Sequence, residues 1–385
     1  MNTIKTIGLI TIHGIDNFGS LFQAYATQRV ISQMGYKCMI INYKYPNEYH
    51  VQRSKKNSPY ASVKLNFQQR VRQHFYRKYF AKKVNANKHK LYDKVRADLL
   101  KTTELFESIE ALQKKTPLFD IYLTGSDQVW NPRYLYEDTA FLLSFVNSQN
   151  KIAYSASFGA TEIDDFHQSL MEPLLKEYRR ISTREQSGVK LVHDICGKDA
   201  ICTCDPTLLL NGNEWKKVFD EKPLIEGDYI LCYILTYTAN PYPYAYKFVQ
   251  YIKRSLGMKV VFIDEDGLYW GDFRNKSLQV YGPNDIINLF SNASFIISSS
   301  FHGAAFSINL RKDFYSIFPK GVKDERQESL LKIVGASDRL IRVGDPFPSK
   351  DSIRIKNWDT IEKKLDDYVS KSKGYLRSSL ELCSK

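Results

Sequence analysis

A histidine follows a predicted buried strand in the segment 291–318. The apolar run 295–297 is followed by three serines, by His302 and by a stretch with helical spacing. This order predicts a strand, a polar turn and a helix of a parallel α/β unit, whose ligands bind at the carboxyl ends of strands. Imidazole exchanges a proton near neutral pH, and a helix amino terminus offers N–H groups to an anion. A histidine held by structural hydrogen bonds is the simpler alternative. Three neighbours complete this predicted anion site: Ser299, Ser300 and Gly303.

Polar residues also follow two other predicted strands. The strand IGLITI runs into HGIDNFGS, and the strand FDIYL runs into TGSDQ. The carboxyl ends of parallel strands meet at one edge of a sheet, so these loops are candidates for the same site. Turn and helix-cap hydrogen bonds use the same residue types and are an equally good explanation. Four residues are the candidates for binding a second substrate: Asn17, Gly19, Asp127 and Gln128.

The strand–helix order occupies two stretches of the chain, separated by the polar segment NGNEWKKVFDEKPLIEGD. A length of 385 residues is comfortable for two domains. We therefore predict an α/β protein of two Rossmann-like domains, residues 1–210 and 225–385, that face each other across a cleft. The first domain is expected to carry a basic helical insertion at 53–115. The second is expected to hold the anion site and to finish with two amphipathic helices.

The composition is that of an ordinary soluble globular protein, with 43% hydrophobic and 25% charged residues. No apolar run approaches a membrane span, and the amino terminus does not resemble a signal peptide, so we expect a cytoplasmic protein. The cysteines lack CxxC spacing, which favours buried thiols over a zinc site.

Several well-known catalytic motifs are not found in the sequence. It has no P-loop lysine motif, no GxSxG elbow, no HExxH pair and no carboxylate cluster suited to magnesium. What it offers is histidine, arginines, serines and helix amino termini. This set suits an anionic substrate and proton transfer without a metal.

Six motifs in order resemble those of the polysaccharide pyruvyl transferases: NFGSLFQAYATQ, TGSDQVWNP, AYSASFG, STREQSG, DPTLL and SSFHGAAFSI. The resemblance runs from about residue 7 to about residue 340. It implies two Rossmann-like domains as in GT-B glycosyltransferases. It also implies transfer of a pyruvyl group from phosphoenolpyruvate, with no further cofactor, onto two hydroxyls of one sugar as a cyclic ketal.

The resemblance also implies roles for individual residues. Arg184 in STRE matches an arginine that holds the donor anion, and His302 in SSFHG matches the histidine placed at phosphoenolpyruvate. Many members carry an arginine two positions before that histidine, where this chain has Ser300. The second anion clamp must then come from elsewhere, and Arg326 is our candidate. Two alternatives stay open: a GT-B-type glycosyltransferase using a nucleotide-sugar donor, and a non-catalytic binding protein of polysaccharide assembly.

The positive charge of the chain is concentrated in one segment. Residues 53–101 hold 15 Lys and Arg against two acids, and the remaining residues hold 40 of each sign. Within this segment Phe67, Val71, Phe75 and Tyr79 recur every four residues, which predicts an apolar stripe on a helix. The stripe suits packing on its own domain or contact with an anionic membrane, where a lipid-linked glycan acceptor would lie. Nucleic acid is not expected, because no recognised binding fold accompanies the charge.

Overall fold

The computed structural model of the protein describes residues 4–56, 67–219, 222–235, 243–263, 280–320 and 325–384. These residues form two sheets in which all paired strands are parallel. In this described part the first sheet has seven strands in the order β3-β2-β1-β4-β5-β6-β7. Its strands are β1 (Thr6–Ile10), β2 (Lys37–Tyr43), β3 (Thr102–Phe106), β4 (Ile121–Thr124), β5 (Lys151–Ala156), β6 (Arg180–Thr183) and β7 (Ala200–Cys202).

The second sheet has five strands among the described residues, in the order β12-β11-β10-β8-β9. Its strands are β8 (Tyr229–Tyr233), β9 (Lys259–Phe262), β10 (Phe295–Ser298), β11 (Phe314–Phe318) and β12 (Leu340–Arg342). The predicted α/β class with two parallel sheets is confirmed.

Helices connect and cover these strands. Those that follow strands of the first sheet are α1 (Phe18–Gln33), α2 (Glu48–Lys56), α3 (Phe67–Tyr79), α4 (Ala81–Leu99), α5 (Ile109–Lys114), α6 (Pro132–Leu135), α7 (Asp165–Lys176), α8 (Gln186–Cys196) and α9 (Gly212–Val218). Those that follow strands of the second sheet are α10 (Tyr244–Leu256), α11 (Pro283–Asn292), α12 (Phe301–Asn309), α13 (Arg326–Val334) and α14 (Trp358–Ser384).

The strand order reverses once in each sheet. In the first sheet the reversal lies between β1 and β4, and in the second it lies between β8 and β10. The loops leaving the two strands at such a point diverge and open a crevice at the carboxyl edge, where open α/β sheets bind ligands. Both crevices contribute to one cavity, so the polar strand ends of the two halves meet.

Helix α1 lies between the two halves, and most of its residues are buried. Phe18 contacts Phe290 and Phe306 with ring centroids 5.6 Å apart in both pairs, and Phe22 contacts Trp215 at 5.2 Å. These rings belong to one hydrophobic core that contains residues of both sheets. Aromatic side chains bury large areas, so this cluster stabilises the contact between the two halves.

Two predicted elements differ from the structure. The stretch 53–115, expected to be helical, contains the edge strand β3, whose half-exposed sequence TTELF lacks a clear alternation. The two helices expected near the end of the chain are one helix, α14. The helix continues through Gly374, with buried Tyr368 and Ser372 before it and buried Tyr375, Leu376 and Leu380 after it.

The last turns of α14 pack on the first half of the molecule rather than the second. The hydroxyl of Ser372 accepts a hydrogen bond from the backbone N–H of Cys204 at 2.9 Å, and Tyr375 donates to the carbonyl of Ala153 at 3.3 Å. The division at 210–225 therefore separates the two sheets, but the end of α14 crosses it and packs on the first half.

All six cysteines are free thiols, buried except for the half-buried Cys202. No helix within the described ranges has the length and apolarity needed to span a membrane.

Candidate functional site

A cavity of about 480 Å³ lies between the two halves, at the carboxyl ends of β1, β4 and β10. The first half contributes Asn17, Ser20, Tyr45, His50, Asp127, Gln128, Tyr134 and Tyr136 to its wall. The second half contributes Leu235, Ser299, Ser300, Phe301, His302, Arg326 and Gln327. A larger depression of about 690 Å³, around Asn147 and Arg179, lies at the amino ends of β5 and β6. We place the site in the former because parallel sheets bind ligands at carboxyl edges.

Asn17 caps helix α1 at the edge of the cavity. Its side-chain oxygen accepts hydrogen bonds from the N–H groups of Gly19 at 2.9 Å and Ser20 at 3.3 Å. Gly19 allows the helix to touch the histidine of the other half, since a Cβ at this position would lie 2.1 Å from His302 Nδ1. Both residues therefore have structural roles, and Gly19 is required for the close approach of the halves.

Asp127 is bound on both carboxylate oxygens. It adopts a left-handed backbone conformation, with φ of 72°. Oδ2 accepts a hydrogen bond of 2.5 Å from Ser20, while Oδ1 accepts one of 2.9 Å from the N–H of Gln128 and lies 3.7 Å from Arg184 Nη2. The Gln128 side chain accepts a hydrogen bond from Asn131 at 2.8 Å. These two polar residues reach the cavity wall, but much of their hydrogen-bonding capacity is used within the first half.

Asp205 is a buried carboxylate that holds the centre of the site together. Its Oδ2 accepts hydrogen bonds from Arg184 Nη1 at 2.8 Å and from the hydroxyl of Ser126 at 3.1 Å. Its Oδ1 accepts from the N–H and the hydroxyl of Thr207 at 2.9 and 2.7 Å. Burial alone raises the pKa of Asp205, but the adjoining His302 and Arg184 outweigh burial and hold that pKa well below its usual range.

His302 lies in the first turn of α12, with its Nε2 3.5 Å from Asp205 Oδ2. That distance is too long for a hydrogen bond, and the buried Nε2 has no hydrogen-bond partner among the residues that the structure describes. The Nδ1 edge of the ring faces Gly19. The histidine of the second half therefore sits against two elements of the first half, an aspartate and a glycine.

Arg184 does not line the cavity in this conformation. Its side chain has no exposed surface, and the ring of Phe301 covers the guanidinium with a Cζ-to-centroid distance of 4.4 Å. The predicted donor contact of Arg184 therefore stays a prediction. It requires Phe301 or Asp127 to move, whereas the ion pair with Asp205 is already formed.

The serines at the end of β10 fix the start of α12. Ser299 accepts a hydrogen bond of 2.7 Å from the N–H of Leu235, and Ser298 donates to the carbonyl of Tyr233 at 2.9 Å. Gly303 faces Ser298, because a Cβ there would lie 2.0 Å from the Ser298 hydroxyl. Gly303 thus allows strand and helix to pack closely, while Ser299 and Ser300 reach the cavity wall.

Sequence reasoning missed two parts of this site. Asp205 was given no role of its own, although its motif DPTLL follows a predicted strand as the other site motifs do. The second part is a cluster around His50, whose Nε2 lies 3.4 Å from the buried Asp138 Oδ2 and whose Nδ1 lies 2.6 Å from Asn47 Oδ1. Burial, with a smaller contribution from Arg53, lowers the pKa of His50 to about 4. No local signal marked these residues, because the cluster forms only when α2 folds against the loop before residue 140.

The comparison with protein-family models decides the family. The model described as polysaccharide pyruvyl transferase matches residues 17–317, which is well over half of the chain. The chain belongs to the polysaccharide pyruvyl transferase family. The matched region contains Arg184, Asp205 and His302, whereas Arg326 lies beyond it. A comparison with curated protein sequences found no significant match.

Solved structures show how the fold of this polysaccharide pyruvyl transferase family member relates to other enzymes. A putative UDP-N-acetylglucosamine 2-epimerase from Listeria monocytogenes is 10% identical, with a TM-score of 0.53 over 98% of this chain and 91% of that chain. The UDP-GlcNAc 2-epimerase from Neisseria meningitidis, bound to UDP-GlcNAc, is 11% identical, with a TM-score of 0.48 over 98% and 99%. At 10% identity the likeness to the Listeria monocytogenes structure concerns the fold alone, which is GT-B-like.

Proposed function

We propose that the protein transfers a pyruvyl group from phosphoenolpyruvate to two hydroxyls of one sugar in a surface glycan or its lipid-linked precursor. The product is a cyclic ketal, and phosphate is released. Membership of the polysaccharide pyruvyl transferase family carries the proposal. Support comes from the cavity wall, where His302 and Arg326 lie beside the first turn of α12.

The reaction needs one proton at carbon and an acceptor for two hydroxyl protons. Protonation of the methylene carbon of phosphoenolpyruvate makes C2 electrophilic, and a sugar hydroxyl attacks it. Phosphate leaves, and the second hydroxyl attacks C2 to close the ring. One hydroxyl proton balances the proton gained by the methyl group, and the other leaves with phosphate. A side chain that both gives and takes protons is required, and in this proposal it is His302.

The surroundings of His302 suit that role. Its Nε2 makes no hydrogen bond to any described residue, so a proton there would not break a contact within that part of the chain. The carboxylate of Asp205 at 3.5 Å would stabilise the resulting imidazolium. The low pKa of Asp205 keeps this carboxylate charged at neutral pH, so the stabilisation is always available.

The donor is proposed to bind on the wall of the second half. Arg326 supplies a guanidinium suited to carboxylate and phosphate oxygens. Ser299, Ser300 and the first N–H groups of α12 lie on the same wall. The acceptor sugar is proposed to bind opposite, against Tyr45, Tyr134 and Tyr136, whose rings offer apolar surface with a polar edge.

The test combines calorimetry with product analysis. Phosphoenolpyruvate is expected to bind the wild type, and phosphate is expected to appear when a panel of glycosides and lipid-linked glycans is added. The modified acceptor should gain the mass of one pyruvate less one water, which distinguishes ketal formation from simple phosphatase activity. Binding of UDP or a nucleotide sugar without phosphoenolpyruvate would instead favour a glycosyltransferase. Binding of neither donor would favour a non-catalytic protein of polysaccharide assembly.

A further inference from the structure

Helix α3 carries an apolar stripe on the surface of the molecule. The exposed fractions are 75% for Phe67, 53% for Val71, 51% for Phe75 and 57% for Tyr79. We call these four residues the α3 stripe. The rings of Phe75 and Tyr79 lie 4.6 Å apart, so they form a continuous apolar surface. In the part of the chain that the structure describes, this stripe is therefore not buried against its own domain, which was the simpler sequence-based explanation. Contiguous exposed apolar surface marks an interaction site.

The charge around the stripe is of one sign. Residues 53–92 contain 12 Lys and Arg and no Asp or Glu. Exposed cations lie on α3 and at the start of α4: Arg70, Lys78, Lys82 and Lys83. An apolar stripe flanked by cations is typical of helices that lie in the interface of an anionic bilayer. A protein partner would need an acidic rim around an apolar groove to match this surface. An anionic bilayer has negative headgroups above an apolar interior over its whole surface.

The helices on either side of α3 in the chain both contribute to the wall that the first half gives the cavity. Helix α2, which precedes α3, brings His50, Val51 and Ser54 to the cavity wall. Helix α4, which follows α3, holds Asp16 at that wall through Arg96, with Nη2 2.9 Å from Asp16 Oδ1. A surface that binds α3 therefore binds a segment whose two neighbouring helices reach the cavity wall.

We propose that the α3 stripe inserts at the headgroup level of an anionic phospholipid bilayer, with the flanking Lys and Arg facing the lipid phosphates. The apolar side chains leave water, and the cations gain the attraction of the negative surface. The proposal concerns binding to lipid and does not depend on which reaction the cavity performs.

The test is sedimentation of the full chain with vesicles of phosphatidylcholine, with and without phosphatidylglycerol. The wild type should pellet with the anionic vesicles at low salt and be released as salt rises, because salt screens the attraction. A variant with Arg70→Gln, Lys78→Gln, Lys82→Gln and Lys83→Gln should lose on the order of 10²-fold or more in affinity, given the usual contribution of each cation. The uncharged change Val71→Ser with Phe75→Ser should also weaken binding, since it removes the inserted surface.

A matched control removes the same charge from elsewhere. Lys350, Lys356, Lys363 and Lys371 are exposed and lie outside the basic segment, and their replacement by Gln gives the same net charge as the α3 variant. This control should bind vesicles like the wild type. The proposal is overturned if the wild type ignores anionic vesicles at low salt, or if the control loses as much affinity as the α3 variant. A third result would also overturn it, and this result has two parts. A short DNA duplex binds the wild type as tightly as the vesicles do, and the Val71→Ser, Phe75→Ser variant binds vesicles as the wild type does.

Discussion

The two halves bring similar strand ends to one cavity but use their polar residues differently. In the first half Asp127, Arg184 and Asp205 are bound mainly to one another and to neighbouring hydroxyls. In the second half Ser300 and His302 stand at the start of a helix with no side-chain cap bond. In the proposed reaction the first half therefore acts as a preorganised support, and the second half presents the histidine that transfers the proton. Each prediction below tests one side of this division.

The largest effect is expected at His302. His302→Gln keeps most of the side-chain volume but removes the imidazole. If imidazole transfers the proton, the rate of phosphate release should fall on the order of 10² to 10⁴-fold, with the unfolding transition close to that of the wild type. The exposed His193 provides the control, and His193→Gln should retain full activity. Near-normal turnover in His302→Gln would rule out proton transfer by this residue.

The next effect concerns the stability of the support. Arg184→Met leaves the buried carboxylate of Asp205 without its ion-pair partner, and such a loss typically destabilises by about 3–5 kcal/mol. Urea denaturation should show this loss, and adding Asp205→Asn should restore part of it. Lys190→Met breaks an exposed pair with Asp194 and should cost less than about 1 kcal/mol. If Arg184→Met instead keeps its stability and loses only affinity for phosphoenolpyruvate, Arg184 serves the donor and the division between the halves is wrong.

A smaller effect is expected where the halves touch. Gly19→Ala places a methyl group 2.1 Å from His302 Nδ1, so the ring or the helix must shift. Overpacking of this kind typically costs about 1–3 kcal/mol, and the displaced histidine should lower the turnover rate as well. At Gly14 an added Cβ would meet its nearest neighbour at 3.8 Å, which makes Gly14→Ala the matched control. If Gly19→Ala and Gly14→Ala have the same stability and the same turnover rate, the imidazole of His302 does not need a fixed position.

The smallest effect is a pH dependence from His50. Its folded pKa of about 4 lies below the unfolded value of about 6.5. As the pH falls below about 6.5, His50 becomes protonated in the unfolded chain but stays neutral in the folded protein. The unfolded state is thereby stabilised, so the free energy of unfolding decreases until the pH reaches about 4. Between pH 7 and pH 5 this loss should be about 1–2 kcal/mol, and His50→Gln should abolish it. Denaturation at both pH values measures the difference. The exposed His193→Gln should keep the wild-type slope, and an unchanged slope in His50→Gln would contradict the assignment.

Local patterns predicted much of the fold because short apolar runs and caps are local properties. The sequence around β10 and α12 predicted the strand, the turn and the position of His302. The strand β3 was missed because an edge strand with exposed side chains carries little hydrophobic signal. The continuity of α14 past Gly374 depends on distant packing partners, which the local sequence does not contain.

The candidate site was predictable in its location but not in its internal bonding. Strand ends identified Asp127 and His302, since topology brings such ends together. The partners of Arg184 could not be predicted in the same way. Whether an arginine faces a cavity or a buried aspartate depends on side-chain geometry between segments that are 21 residues apart in sequence, as with Arg184 and Asp205.

Helix α14 has a mechanical consequence for how substrates enter. Its 27 residues span about 40 Å. Near its start Glu362 pairs with Arg311 of the second half at 3.1 Å, and its last turns are bonded to the first half at Cys204 and Ala153. A rod anchored at both ends resists the wide hinge opening by which two linked lobes usually admit a ligand. Entry should therefore depend on small movements of the loops at the cavity mouth, and the shape of the cavity should change little between the empty and occupied states.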